Sequence, residues 1–435
     1  MKLKPYPKYK DSGVEWIGKI PEGWEIKRIK DYLNFQIGGT PSTSREDYFE
    51  GENVWVSIED LNNQYIIKDS KKKISDEAII HSNVKKVQKG SLLFSFKLTI
   101  GLTAFAGCDL YTNEAIAAFS PNDKVDLNFL KYVLQNNFEN NAFENIYRAK
   151  LFNTSLLKVA KYALPENINE QKKIAKYLDK KTSEIDLKIE KYTQLIELLE
   201  EKKAALINHA VTQGLDPEVP MKDSGVEWIG EIPEGWEVKK LKFTSEINKK
   251  SLSENEDPNN EFHYLDISNV SKNGKILNTK LIKFCDAPSR ARRVPEKKDT
   301  IISTVRTYLR AIAYLEDIPT NFVVSTGFTV LNPRKFIYPK YLYYVVSSEL
   351  FVQTIVAHST GIAYPAINSS DLANIHICYP IIEEQKKIAK YLDRETEKID
   401  KIIIKIKSII KLLKEYRESL IHHVVTGKVD VRDVV

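Results

Sequence analysis

The feature that most constrains this chain is that it is written twice. Residues 11–30 read DSGVEWIGKIPEGWEIKRIK and residues 223–242 read DSGVEWIGEIPEGWEVKKLK, with sixteen of twenty positions identical at an offset of 212. EQKKIAKYLD at 170–179 returns unchanged at 384–393, an offset of 214. His209-Ala210-Val211-Thr212 likewise faces His423-Val424-Val425-Thr426. A length of 435 residues would by itself suggest about three folding units; the repeat replaces that with one plan used twice.

Between the repeated blocks, residues 31–165 and 243–380 share little sequence, yet their patterns overlay. Lys89–Lys97 parallels Lys298–Arg306 at an offset of 209, each an apolar run ending in a basic residue. Asn153-Thr154-Ser155 matches Asn368-Ser369-Ser370 before each half closes at Pro165 or Pro380. Strand-like runs (Val54–Ile58, Ser91–Phe96, Thr103–Phe105, Phe322–Val324, Phe328–Leu331) mix with helical patches at Leu127–Gln135 and Tyr338–Ser347. The reading is two α+β globules of the same fold carrying different surfaces.

Each half ends in a heptad seam. Leu178, Ile185, Tyr192, Leu199 and Leu206 recur every seven residues, with Ile189 and Ile196 among the companion positions. Leu392, Ile399, Ile406, Leu413 and Leu420 repeat the register, accompanied by Ile403 and Ile410. A basic residue interrupts each seam at the same place, Lys203 and Arg417. Asn167, three residues ahead of Glu170, suggests a capping box, and Gly214 and Gly427 suit left-handed caps. Each helix could simply pack on its own globule. Matched seams over more than four heptads instead favour an antiparallel coiled coil, with pseudo-twofold symmetry between the halves. The ~33 residues from Leu178 to Ala210 span roughly 50 Å. Two similar heads spaced by a rod suit a linear target read at two places, and DNA is the obvious one.

These duplicated blocks, alternating with two dissimilar globules, resemble the specificity subunit of type I restriction-modification systems over nearly the whole chain. The resemblance implies two target-recognition domains, each reading one half of a bipartite site in double-stranded DNA. It implies that the helices dock two modification subunits, and that this chain is a noncatalytic recognition subunit without a cofactor of its own. S-adenosylmethionine, ATP and Mg belong, on that reading, to the modification (methyltransferase) and restriction (motor and nuclease) subunits. The domain plan is then 1–165 leader and first recognition domain, 166–214 helical spacer, 215–380 second leader and recognition domain, 381–427 second spacer, and 428–435 tail.

The motif inventory agrees. There is no GxxxxGK[ST] loop and no [DN]-P-P-[YF] tetrapeptide, the nearest fragment being Asn332-Pro333-Arg334. His422-His423 read as helix-end residues, and Asp76-Glu77 and Glu383-Glu384 as solvated carboxylates. Cys108, Cys285 and Cys378 match no metal spacing and read as buried thiols of a reducing cytoplasm. No run approaches a membrane span. The balance of 65 Lys+Arg against 59 Asp+Glu, net +6, is too mild to argue for a polyanion without local clustering.

Candidate DNA contacts follow from the donors that read base edges and phosphates. Gly38-Gly39-Thr40-Pro41-Ser42 resembles a loop common near the start of such recognition domains, and Gly39, Thr40 and Ser42 are its candidates. The glycines would let N–H groups approach a phosphate, or they make a tight turn. The second half departs here, reading Ile247-Asn248-Lys249-Lys250-Ser251. Lys97 and Arg306 stand at equivalent points past a strand, followed by Thr99, and by Tyr308 and Arg310. Arg148 and Lys150, with the segment from His358 to Tyr364, are expected to form variable recognition loops. Residues 280–298 carry seven basic and two acidic side chains, and Arg290, Arg292 and Arg293 form a core able to grip phosphate or guanine. The four leader tryptophans, Trp16, Trp24, Trp228 and Trp236, bracket Ile-Pro-Glu-Gly turns with Pro at the second position. Being the same in both copies, they suit docking onto the globule or onto a shared subunit. Two rivals stand beside this reading: a bivalent protein-binding scaffold, and a stand-alone DNA enzyme with an unrecognised active site.

Overall fold

Proline ends a strand and releases a helix in both halves. In the computed structural model, strand Lys161–Pro165 precedes helix α1 (Ile168–Thr212), and strand His376–Tyr379 precedes helix α2 (Ile382–Val425). The structure describes residues 4–62, 64–97, 99–141, 143–144, 150–151, 153–361 and 365–434, and their side chains except at 137–141, 143, 144, 150 and 151. The chain forms two compact units, residues 1–192 with 408–435 and residues 193–407. Each unit therefore holds the start of one long helix and the end of the other.

Within each unit the two helix segments run antiparallel and bury their seams. In the first, Leu178, Ile185, Leu420 and Val424 are buried in one core, with Ile189 and Leu413 packed against it. In the second, Leu392, Ile399, Ile403 and Ile406 are buried. Tyr192, Ile196, Leu199, Leu206 and Ile410 are half-buried. The basic interruptions find partners: Arg417 Nε lies 2.9 Å from Asp186, and Lys203 Nζ 2.7 Å from Asp400. Asp186 and Asp400 are themselves 214 residues apart, so the same ion pair is built in each unit.

The repeated blocks clasp each other. Trp24 is buried, and its indole N–H donates to Glu170 (3.0 Å); buried Trp236 donates to Glu384 (3.2 Å). Glu170 also accepts from the Tyr6 hydroxyl (2.9 Å). The capping box expected at Asn167 is consequently absent: Asn167 caps Asn169 N–H (2.8 Å), and Glu170 turns to the leader. Glu384 is likewise a clasp, not a solvated carboxylate. The following residues, Gln171 and Gln385, are fully buried. Gln171 donates to the Pro165 and Lys124 carbonyls and accepts from Asp126 N–H; Gln385 donates to the Pro380 and Phe336 carbonyls and accepts from Tyr338 N–H. Such buried amides stay in place because each polar atom is satisfied. Further along the block, Asp179 takes Lys131 and the Tyr132 hydroxyl (2.7 Å each), and Asp393 takes Lys340 (3.4 Å) and Tyr344 (2.6 Å). The chemistry of the duplicated blocks is thus the attachment of each head to its helices.

Caps and turns close the same frame. Gly214 and Gly427 end the helices at φ +79° and +71°. A side chain at Gly427 would overlap Pro21. The Ile-Pro-Glu-Gly turn is hydrogen-bonded from Trp236 N–H to Pro233 carbonyl (2.9 Å), which puts proline first in the turn rather than second. In the first unit Asp430 N–H bonds the Lys4 carbonyl (2.8 Å) and Lys428 reaches the Ile17 carbonyl (2.6 Å). Chain continuity through residues 213–221 makes the corresponding connection in the second. Of the three cysteines only Cys378 is buried, its thiol pushed up to about 12 by desolvation; Cys108 is half-buried and Cys285 exposed, correcting the expectation of three buried thiols.

Each head is built on a sheet. In the first, β1 (Phe35–Ile37), β2 (Ile66–Ile67), β3 (Leu92–Ser95), β4 (Thr103–Ala106) and β5 (Ile116–Phe119) lie in the order β1-β5-β3-β4-β2. In the second, β6 (Ser245–Ile247), β7 (Thr300–Ser303), β8 (Ile312–Tyr314) and β9 (Phe328–Pro333) lie in the order β6-β9-β7-β8. The shared order 1-5-3-4 and 6-9-7-8 is the common fold. Both faces of the central strand are covered: Leu92 and Phe94 enter the core with the long helices, while Leu93 enters a smaller core with Val56 and Ile116. Two-sided burial explains runs that are apolar throughout instead of alternating.

Buried Asp299, at the start of β7, accepts from Glu296 N–H and Asn332 (2.7 Å each), and burial pushes its carboxyl up to about 6. The native state then keeps a proton that the unfolded chain has released, so stability falls as pH rises through that window. Comparing urea unfolding of wild type and Asp299→Asn, the difference is expected to move in favour of wild type as pH drops from ~7 to ~5. A pH-independent difference would contradict this account of Asp299.

Candidate nucleic-acid interface

Antiparallel pairing brings three connections to one end of the first sheet: residues 38–42 after β1, 96–97 and 99–101 after β3, and 113–115 before β5. There the Thr40 hydroxyl donates to Glu114, and Glu114 is held below the usual carboxylate range by that bond, by its own backbone and by the nearby Lys97 charge. Lys97 is exposed, its ammonium 5.6 Å from the Phe96 ring centre, and the Thr99 carbonyl accepts from Ser95 (2.6 Å). Exposed Thr40, Lys97, Thr99 and Glu114 thus share one surface, with Ser42 nearby in sequence and bonded to Ser44 (2.8 Å). Glu114 was not among the expected contacts; nothing in its sequence setting marked it except its place just ahead of a strand.

Gly39 does not offer a phosphate cradle. It is buried, its N–H donates to the Thr112 carbonyl (2.8 Å) and its carbonyl accepts from the Trp55 indole (3.0 Å). Gly38 N–H is committed to the Ile116 carbonyl (3.3 Å). The two glycines are required because a Cβ on Gly38 would overlap the Thr112 carbonyl, and one on Gly39 the Asn83 carbonyl.

The second sheet presents the corresponding turn, residues 304–310. Strand pairing equates Ser95 with Ser303: Ser95 N–H bonds the Leu102 carbonyl, and Ser303 N–H the Ala311 carbonyl. Lys97 lies two residues past Ser95 and Arg306 three past Ser303, so the two basic residues are not register-equivalent; the second turn is one residue longer. Arg306 (φ +52°) and Arg310 (φ +56°) flank a single 3-10 turn, Thr307–Leu309. Exposed Tyr308 sits on it, while Arg310 makes a two-pronged ion pair with Glu349. Ser359 and Ala366, after the helix Glu349–Ala357, meet this turn through the backbone bridge Val305–Ala366 and the Thr307–Ser359 hydroxyl contact (3.0 Å). His358 is exposed and its Nδ1 meets the Thr354 carbonyl (2.8 Å). Arg148 and Tyr364 lie outside the described residues. Lys150 is described only as backbone, in a strand paired with Phe143–Glu144.

The type I restriction modification DNA specificity domain matches residues 21–198 and again 233–412. This chain belongs to that family. A type I DNA specificity protein from Methanocaldococcus jannaschii, the type I restriction enzyme MjaIX specificity subunit, is 26% identical over 430 residues, covering 96% of each chain. The EcoKI specificity subunit of Escherichia coli K12 is 24% identical over 206 residues, 46% of this chain and 44% of that one. Among solved structures, a chain from work on complex assembly and conformational transition of the type I R-M system matches with TM-score 0.71 at 15% identity, over 94% of this chain and 99% of that one. The HsdS subunit from Thermoanaerobacter tengcongensis matches with TM-score 0.53 at 15% identity, over 96% and 100%.

In this type I specificity chain each arginine of the expected grip has a partner within the head. Arg290 is held by Asp266 (2.7 Å) and the Tyr264 hydroxyl (3.2 Å). Arg292 lies over the Phe284 ring (4.8 Å), and Arg293 turns toward Ser251 (3.3 Å) with its Nε buried. The strand Ala291–Arg293 is irregular, its pairing with Phe322–Ser325 shifting register between Ala291 and Arg293, and the three arginines take three different sets of partners. Two short lysine runs of the first head, Lys71-Lys72-Lys73 and Lys85-Lys86, are surface charge: Lys71 pairs with Glu59, Lys73 with Glu52 and Asp69, and Lys86 with Asp109. Among the described residues no His/Cys/Asp/Glu group could hold a metal, and no helix is long and apolar enough to cross a membrane.

Proposed function

We propose that this chain is the DNA-reading subunit of a type I restriction-modification complex. Residues 1–165 and 215–380 each read one half of a bipartite duplex site, while 166–214 and 381–427 set the gap and dock two modification subunits. The observation that carries this reading is the division of labour between identical and divergent residues. The clasp of Trp24, Glu170 and Gln171 recurs as Trp236, Glu384 and Gln385, whereas the turns after β3 and β7 differ in length and chemistry. One frame with two different reading edges is what an asymmetric two-part target requires. Outside the seam, Leu195 and Leu198 on α1 and Ile409 and Leu412 on α2 are exposed at corresponding positions, which suits docking of a shared partner. Methyl transfer, ATP hydrolysis and cleavage are then supplied by the modification and restriction subunits, in the cytoplasm where chromosomal DNA is modified.

Mapping methylated adenines in a host carrying the complete system, with and without this chain, tests the proposal. Methylation is expected at one two-part motif with a constant gap, and it should vanish when the chain is deleted. An unchanged pattern would favour a protein-binding scaffold, and methylation or cleavage by the isolated chain would favour the stand-alone enzyme.

A further inference from the structure

The turn at 304–310 is held in a conformation that its sequence does not favour. A left-handed backbone is costly for a side chain as large as arginine, and here two arginines adopt it within five residues. The first head shows that the geometry at the second of these positions does not need arginine. Its counterpart of Arg310, the residue just before the strand resumes, is Gly101 at φ +100°. Arginine at 310 adds instead the two-pronged pair to Glu349, at the start of the helix Glu349–Ala357. Glu349 is held below the usual carboxylate range by that guanidinium. Thr307 is buried and bonded to Ser359, and Arg306 N–H is bonded to the Pro365 carbonyl (2.7 Å). The turn is therefore fixed at its base from three sides.

What the turn presents is apolar. Tyr308 is 51% exposed and Leu309 46% exposed, side by side at its tip, next to exposed Arg306. Large side chains held rigidly in water at the tip of a strained turn gain nothing for folding. In the corresponding turn of the first head Thr99 is exposed and Ile100 is packed against the core, while Leu98 lies outside the described residues. Flat and branched apolar side chains of this kind unstack DNA when driven between base pairs, provided their support is rigid enough to bear the cost.

Resting on the DNA-reading function proposed above, we infer that Tyr308 and Leu309 form a wedge that enters one base-pair step of the half-site read by the second head. Arg310 and Glu349 act as the positioning pair that keeps the wedge stiff. The second head thus reads deformability as well as base edges.

The test is selection from random duplexes by the chain together with the subunits that co-purify with it. Binding is then measured to the enriched duplex carrying a single-strand nick walked through every step. A nick loosens stacking without changing any base. With a wedge, binding is expected to be several-fold to tenfold tighter when the nick lies at its step in the half-site read by the second head. Tyr308→Ala with Leu309→Ala should abolish that gain and lower affinity for the intact site at least tenfold, with random-duplex affinity unchanged. Glu349→Gln should weaken specific binding while retaining a reduced nick response. Continued enrichment of the other half-site by the variants reports that the chain is folded. If no nick position tightens wild-type binding, or the double variant keeps the gain, the wedge is refuted. Failure of the wild type to enrich any two-part motif would instead remove the functional reading beneath it.

Discussion

Duplicating one heptad in each long helix, residues 190–196 in α1 and 404–410 in α2, is expected to widen the gap between half-sites by about three base pairs while leaving both half-sites unchanged. Seven residues add about 10.5 Å to a helix, and base pairs stack about 3.4 Å apart. A whole heptad preserves the phase of the seam, so Asp186–Arg417 and Lys203–Asp400 can each re-form in its own unit. Insertion in one helix alone would misalign those pairs. Motif mapping of the modified complex reads the gap directly. An unchanged gap in a variant with full helical content would sink the proposal that the helices set the spacing.

The second large effect concerns the clasp. Trp24→Ala is expected to cost the first unit about 3–5 kcal/mol, and Trp236→Ala a similar amount in the second. Trp24 packs edge-on against Tyr6 (5.8 Å) and Trp236 against Tyr341 (6.5 Å), and each buries an indole whose N–H is bonded to the first turn of a long helix. Truncation leaves a cavity and strips Glu170 or Glu384 of its indole donor at once. Glu170→Gln, which keeps an acceptor, should cost only about 1 kcal/mol. Hydrogen exchange localises the damage. Trp24→Ala should speed exchange at residues 168–180 and 415–426 with little change at 200–212 and 384–396, and Trp236→Ala should do the reverse. Equal acceleration everywhere would mean that the two units do not carry separate clasps.

Much of the frame was legible in the chain. The seam was readable because a seven-residue apolar period admits few other structures, and the helix ends because proline and glycine act locally. The division into recurring attachment and divergent surface was readable because the chain is its own comparison. The interface was less so. Gly39 and the arginines at 290–293 were plausible contacts by residue type, yet their N–H groups and guanidiniums are engaged inside the head. Glu114 and Glu349 gave no signal, since each acquires its role from a partner distant in sequence. Lys97 and Arg306 looked equivalent by counting residues, and strand pairing separated them by one position.

By itself, then, the sequence determined the number of heads, the shared frame, the two long helices and the family, because repetition and periodicity are properties of a single strand of residues. Tertiary structure decided which polar groups are already engaged within each head. A donor's availability depends on what already accepts from it, and that is settled only when strands pair and side chains such as Arg310 and Glu349 meet across the head.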